Sequence, residues 1–144
     1  CPPGQAVDGE CKEGSSEDLD CIPCPSGNFC AGGKTTSCKS SCPDGKELVG
    51  FCTAGSDHDT SACHDCPAGS WCTGGEARPC RTQCEEGKEL QGTCPSGSKE
   101  DITTCEACEA GFFCQQGKKF ECRATCPNGK LLSAGCPAGA KEDV

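Results

Sequence analysis

Apolar positions in this chain follow the spacing of its cysteines rather than the period of a helix or a long strand. From Cys42, the numbers of residues between successive cysteines are 9, 10, 2, 5, 7 and 3, and the same series restarts at Cys84. The copy from Cys1 has one residue fewer in its second interval, and a further copy opens at Cys126. A fixed period is typical of repeat proteins. The predicted domains are repeat 1 at 1–41, repeat 2 at 42–83, repeat 3 at 84–125 and a partial repeat 4 at 126–144.

The pattern predicts short strands and turns, because no stretch shows helical apolar periodicity over three turns. Extended pieces are predicted at 46–51, 88–93 and 130–135, each leading to the second cysteine of its copy. Residues 56–62 and 98–104 are candidates for a single helical turn. Four aspartates at matching offsets would cap such a turn or form an Asx-turn. They are Asp18, Asp59, Asp101 and Asp143.

Glycine recurs at fixed offsets after the first, second, fourth and fifth cysteines of each copy. Recurrence at one offset predicts backbone positions with positive φ, which means tight turns. The positions are Gly4, Gly45, Gly87 and Gly129; Gly14, Gly55, Gly97 and Gly139; Gly27, Gly69 and Gly111; and Gly33, Gly75 and Gly117.

Composition shows why such a module needs covalent support. Apolar residues make up 33% of the chain, but 20 of its 144 residues are cysteine, so about a fifth remains for an apolar core. A module of about 42 residues is too small to be stabilised by burial alone. We therefore predict a small disulfide-rich fold, with tandem cysteine-rich modules stacked into an extended rod, short β-hairpins, turns and little helix. Disulfides on this scale place the protein outside the cell or at its surface.

Charge and motifs argue against several classes of function. The net charge of −9 opposes binding to nucleic acid or to an anionic membrane. No apolar run is long enough to span a membrane. The sequence shows no nucleophile elbow, phosphate-binding loop or paired carboxylates with a pocket, so we expect no enzymatic activity and no cofactor.

Two groups of residues could bind a metal, and each also has a simpler explanation. The sequence Cys63-His64-Asp65-Cys66 has the spacing of zinc ligands, but its histidine is present in one copy alone and an oxidising compartment favours disulfides. Asp57, Asp59 and Asp65 would offer oxygen ligands to calcium, although a solvated acidic face is the simpler interpretation.

One aromatic residue precedes the fifth cysteine of each complete copy, at Phe29, Trp71 and Phe113. Each ring is expected to cover the disulfides of its own module, and the alternative is a row of exposed rings that pack on a partner or a sugar. Loop hydroxyls are candidate acceptors of O-linked sugars. These candidates are Thr35, Thr36, Thr60, Ser61, Thr103 and Thr104.

The disulfide pairing is open at this stage, because six cysteines allow 15 arrangements. If the first two cysteines of a copy pair, the partial copy with Cys126 and Cys136 is closed and no cysteine is left over. The other four in each complete copy would then pair among themselves.

Two families resemble this module. The segments Cys24-Pro-Ser-Gly-Asn-Phe-Cys30, Cys66-Pro-Ala-Gly-Ser-Trp-Cys72 and Cys108-Glu-Ala-Gly-Phe-Phe-Cys114 resemble the ephrin-receptor-like cysteine-rich repeat, which reads Cys-Pro-Ala-Gly, two aromatics and Cys. The module also resembles the cysteine-rich domains of the tumour-necrosis-factor receptor family. Those domains carry a tyrosine and place their second and third cysteines closer together, and this chain has no tyrosine.

The second resemblance implies a pairing of first with second, third with fifth and fourth with sixth cysteine. It gives Cys1–Cys11, Cys42–Cys52, Cys84–Cys94, Cys126–Cys136, Cys21–Cys30, Cys24–Cys38, Cys63–Cys72, Cys66–Cys80, Cys105–Cys114 and Cys108–Cys122.

The regular period also resembles tandem-repeat surface proteins of protists and algae. We therefore expect a structural unit of an extracellular filament, appendage or surface coat, which self-associates into a polymer. The alternative is a receptor or adhesin ectodomain that binds a protein or glycan. Ligand binding would concentrate unusual residues in one copy, and His58, His64 and Trp71 in repeat 2 are the hint of this.

Overall fold

The computed structural model describes residues 1–10, 13–14, 18–123, 125–129 and 135–143. These residues form 12 short strands and no helix. The strands are β1 (Gln5–Val7), β2 (Cys21–Pro23), β3 (Asn28–Ala31), β4 (Lys34–Ser37), β5 (Lys46–Val49), β6 (Ala62–Asp65), β7 (Ser70–Thr73), β8 (Glu76–Pro79), β9 (Lys88–Gln91), β10 (Thr104–Ala107), β11 (Phe112–Gln115) and β12 (Lys118–Glu121). They pair in sequence order into six two-stranded sheets. The prediction of a small disulfide-rich fold of short hairpins is confirmed.

The chain divides into two compact units. Unit 1 comprises Cys1–Cys66 with Cys72–Ala77, and unit 2 comprises Pro67–Trp71 with Arg78–Val144. The boundaries of the four predicted repeats remain a prediction. No described residue belongs to a helix long and apolar enough to cross a membrane.

The described cysteines follow one pairing rule. The first cysteine of a copy bonds the third, the fourth bonds the fifth, and the sixth bonds the second cysteine of the next copy. The pairs are Cys1–Cys21, Cys24–Cys30, Cys38–Cys52, Cys42–Cys63, Cys66–Cys72, Cys80–Cys94, Cys84–Cys105, Cys108–Cys114 and Cys122–Cys136. Cys126 has a free thiol.

All ten pairs implied by the resemblance are wrong, because each contains a cysteine that bonds elsewhere. They are Cys1–Cys11, Cys42–Cys52, Cys84–Cys94, Cys126–Cys136, Cys21–Cys30, Cys24–Cys38, Cys63–Cys72, Cys66–Cys80, Cys105–Cys114 and Cys108–Cys122. Cys11 itself lies outside the described residues.

Strand geometry explains the correction. Strand β5 lies between Cys42 and Cys52, and four extended residues span about 13 Å, whereas the Cα atoms of a disulfide lie within about 7 Å. Strand β6 runs antiparallel to β5 and returns Cys63 to within 5.7 Å of Cys42, Cα to Cα. Cys52 is carried onward and bonds Cys38 of the preceding copy.

The predicted glycine turns and most of the predicted strand residues agree with the structure, unlike the predicted disulfide pairs. All fourteen glycines that recur in sequence have positive φ, from 78° to 91°, as predicted. Strands β5 and β9 confirm the predicted extended pieces over 46–49 and 88–91, but not at 50–51 and 92–93, and residues 130–134 of the third piece lie outside the described residues. The helical turns at 56–62 and 98–104 are wrong: bends lead into β6 and β10, and an aspartate in each segment forms an Asx-turn instead.

Buried disulfides form the centre of each hairpin pair. The bond between the fourth and fifth cysteines is fully buried in all three complete copies, and in unit 1 Cys24 and Cys30 cluster with Ala6. Strand β1 adds to this centre because the Val7 N–H donates to the Gly33 carbonyl at 3.2 Å. A Cβ on Gly33 would lie 2.8 Å from the Val7 side chain, so a glycine is required there.

Candidate functional site at the repeat junctions

The pairing rule creates one covalent junction between each copy and the next. We define the first junction by Cys38–Cys52, the second by Cys80–Cys94 and the third by Cys122–Cys136. The first lies in unit 1, and the other two lie in unit 2. Each bond links cysteines 14 residues apart. Consecutive copies are therefore joined by a crosslink as well as by the main chain.

Backbone hydrogen bonds repeat at every junction. The N–H of Gly27, Gly69 or Gly111 donates to the carbonyl of the second cysteine of the following copy, with N···O distances of 2.7, 2.8 and 2.8 Å. Each of these bonds ties the turn after the fourth cysteine to the junction disulfide. These bonds involve backbone atoms alone, so they are the same in copies whose other side chains differ.

Two glycine turns touch where a copy meets the next one. A Cβ on Gly4 would lie 2.4 Å from the Gly55 carbonyl oxygen, and a Cβ on Gly87 would lie 2.5 Å from that of Gly139. Real Cβ atoms do not approach a backbone oxygen so closely. The first and third junctions therefore require a residue without a side chain at this point, in addition to the positive φ.

An aspartate fastens the start of each junction loop to its end. Asp59 accepts the Ser61 N–H at 2.9 Å, the Ser61 hydroxyl and the Lys39 N–H at 3.1 Å. Asp101 accepts the corresponding bonds from Thr103 and Arg81. These are the Asx-turns that the sequence left as one of two options.

The third junction shows the same link, since the Arg123 N–H donates to Asp143 at 3.1 Å. Hydroxyl donation by Ser61 and Thr103 is the main reason why the pKa values of Asp59 and Asp101 lie below their ordinary value of 3.8. The carboxylates therefore stay ionised at neutral pH and keep accepting these hydrogen bonds.

The junction aspartates also lie against the disulfide. Cys52 Sγ is 3.7 Å from Asp59 Oδ1, and Cys94 Sγ is 3.8 Å from Asp101 Oδ1. Two cysteines and a carboxylate within 4.8 Å resemble a metal-ligand set. The sulfurs are bonded to each other, however, and the ligand form of cysteine is the thiolate. The intact junction is thus unsuited to zinc.

The two metal candidates from the sequence do not assemble among the described residues. Cys63 and Cys66 bond Cys42 and Cys72, so neither is a thiolate ligand. The three acidic side chains take separate partners. Asp57 pairs with His58 at 2.5 Å, which is the main cause of its lowered pKa, Asp65 pairs with Lys46 at 2.9 Å, and Asp59 closes the first junction.

The recurring aromatic rings are half-buried on the second hairpin of each copy. Phe113 stacks on Phe120 with ring centroids 5.3 Å apart, and the Arg78 guanidinium lies 5.5 Å from the Trp71 ring centroid. Phe29 has Thr36 as its cross-strand partner. The rings therefore have different neighbours in different copies and keep part of their surface open. That each ring covers the disulfides of its own module stays a prediction.

The six candidate glycosylation residues fall into two groups. Ser61 and Thr103 are buried and their hydroxyls donate to the junction aspartates, so they are poor acceptors of a sugar. The other four are exposed: Thr35 and Thr36 on β4, Thr60 beside the first junction, and Thr104 on β10.

A shallow apolar depression recurs over the junction disulfides. It measures about 240 Å³ at the first junction and about 270 Å³ at the second. Every residue that lines the first has its counterpart 42 positions later in the second. Leu48 and Leu90 correspond in this way, whereas Phe51 is replaced by Thr93.

Phe51 is the functional candidate that sequence reasoning missed. The sequence pattern predicts only an extended piece at this position, although the same offset holds Glu10, Thr93 and Gly135 in the other copies. A large apolar residue at a position that is otherwise polar or small was the available signal.

Comparison with protein families, with curated proteins and with solved structures finds no match to this chain.

Proposed function

We propose that this protein is a structural building block of an extracellular filament, appendage or surface coat, and that it assembles by self-association. The observation that carries the proposal is the disulfide between each copy and the next at equivalent positions. Such bonds resist separation of neighbouring modules under tension, which a structural element needs and a freely jointed array lacks.

The nine disulfides indicate an oxidising environment, and the proposed location is outside the cell or at its surface. Regularity supports assembly as well. Backbone bonds, glycine turns and aspartate links return at the same offsets, so each copy offers the same framework to a neighbour. Stacked repeats of this type contact mainly their nearest neighbours and present extended surfaces.

Electron microscopy of the native, unreduced protein tests the proposal. The expected result is regular fibres or sheets whose axial repeat is commensurate with one 42-residue module. Protein treated with a dithiol reductant is the control and should not assemble, since reduction removes the junction bonds. Dispersed single particles at every protein concentration would contradict the proposal.

A receptor or adhesin ectodomain is the second candidate. Repeat 2 alone combines the exposed Phe51, the exposed His58 and the Trp71 ring beside Arg78, which is the concentration of unusual residues expected of a binding module. Dispersed particles together with retention on a glycan or protein array would favour this function. Loss of that retention on a Trp71→Ala substitution would locate the ligand.

A further inference from the structure

Phe51 is presented at the surface by a fixed backbone. Its side chain is 65% exposed, the largest value among the described large hydrophobic residues. The Thr60 hydroxyl donates to the Phe51 carbonyl at 3.0 Å, and the next residue, Cys52, is held by the first junction disulfide. Because the backbone that carries the ring is already fixed, binding restricts only the torsions of the side chain.

The second junction offers a matching site without a ring of its own. Its depression of about 270 Å³ is lined by Leu90, by glycine backbone and by Cys80–Cys94, and Thr93 occupies the position that corresponds to Phe51. An apolar cavity of about 150 Å³ accommodates benzene, so a phenyl ring fits within this volume. The depression is therefore large enough and apolar enough for Phe51.

Charge also complements the two surfaces. Arg81 lines the depression, and its guanidinium donates to Cys105 Sγ at 3.5 Å, so Arg81 supplies a positive charge beside the site. The loop that contacts Phe51 through Thr60 carries Asp57 and Asp59. A net charge of −9 repels copies from each other at long range, so a cationic group at the point of contact favours this approach over others.

We propose that Phe51 of one copy of this chain inserts into the depression over Cys80–Cys94 of a second copy. The inference rests on the proposed function and names the surface through which self-association occurs. Ring and depression are two different surfaces of the chain, and a contact between different surfaces that does not close produces an open fibre. Each added copy brings a new Phe51 and a new depression.

Two substitutions that exchange residues between copies test the contact. Phe51→Thr gives repeat 2 the residue that repeat 3 has at this offset. Ile102→Thr is the matched control: it replaces another exposed apolar residue, in repeat 3, by the residue that repeat 2 has at the corresponding position, Thr60. Sedimentation of the unreduced full chain should show that Phe51→Thr raises the concentration needed for assembly at least about tenfold. Ile102→Thr should leave it unchanged. Equal unfolding midpoints show that both variants are folded.

Crosslinking locates the site directly. A photoreactive benzoyl-phenylalanine at position 51, in a mixture of isotopically light and heavy chains, should give mixed-isotope crosslinks to residues 80–94. Assembly of Phe51→Thr at the wild-type concentration, or crosslinks confined to other regions, would overturn the inference while the proposed function stands. A wild-type chain that never assembles would overturn both.

Discussion

The first and second junctions share the same disulfide, backbone and aspartate contacts, which we call the framework. They differ in residues that border the apolar depression, which we call the rim. Both have a disulfide across 14 residues, a glycine N–H bonded to the carbonyl of the second cysteine, and an aspartate that accepts three hydrogen bonds. At the rim, Phe51 and Lys39 of the first junction correspond to Thr93 and Arg81 of the second. Covalent bonds and backbone contacts thus carry the stability, which leaves the rim residues free to differ.

The largest effect should follow from removal of a junction disulfide. A crosslink that closes about 15 residues contributes about 3 kcal/mol in the chain-entropy account. We expect Cys38→Ala/Cys52→Ala and Cys80→Ala/Cys94→Ala to lower the unfolding free energy by similar amounts, measured by urea denaturation. A large loss at one junction and none at the other would show that the two frameworks are not equivalent.

The second largest loss of unfolding free energy should follow from a substitution at the glycine contact of the third junction. Gly87 and Gly97 both have a φ of +82°, but a Cβ clashes with Gly139 at the first position and meets nothing at the second. Gly97→Ala should cost about 1–2 kcal/mol for its left-handed backbone. Gly87→Ala should cost at least about 1 kcal/mol more for the overlap. Equal losses in the same denaturation experiment would mean that the turns do not touch.

Acid should weaken the aspartate links without breaking a covalent bond. Because folding lowers the pKa of Asp59 and Asp101, their stabilising contribution is complete above the ordinary value of 3.8 and is lost as pH falls through the lower folded values. Thermal unfolding of the wild type between pH 7 and pH 2 should show this loss. Asp59→Asn and Asp101→Asn should each be less stable at pH 7 and show a smaller decrease on acidification. A pH dependence identical to that of the wild type would contradict the assignment.

Substitution of a rim residue should have the smallest effect on the unfolding free energy. Phe51→Thr removes an exposed ring and leaves every junction bond in place, so the unfolding free energy should change by less than about 0.5 kcal/mol. The reciprocal exchange, Thr93→Phe, should be as mild. A loss comparable to that of a junction disulfide would show that Phe51 belongs to the framework.

The sequence predicts the local features of this fold because each depends on a few adjacent residues. Recurring glycines mark positive φ, and the recurring segment that leads to the second cysteine of each copy marks β5. Cysteine pairing depends on which cysteines lie close together once the strands have formed. The number of residues between Cys42 and Cys52 does not show that strand β5 separates them. Closing the partial copy at Cys136 therefore gave the wrong partner.

The candidate site was predictable only in part for the same reason. Asp59 and Asp101 were identified by their matching offsets, but the residues that donate to them from the preceding copy, Lys39 and Arg81, lie 20 positions away. The depression is lined by residues from position 69 to position 103, which are brought together only by the fold. No local pattern indicates such a surface.

Disulfide mapping of the unreduced protein tests the central claim most directly. Cleavage after lysine, arginine and glutamate places Cys80 in peptide 77–81, Cys84 in 82–85, Cys94 in 90–99 and Cys105 in 101–106. We predict mass-spectrometric detection of 77–81 joined to 90–99, and of 82–85 joined to 101–106. Detection of 82–85 joined to 90–99 would mean that each copy closes on itself, and it would contradict the covalent junction on which this account rests.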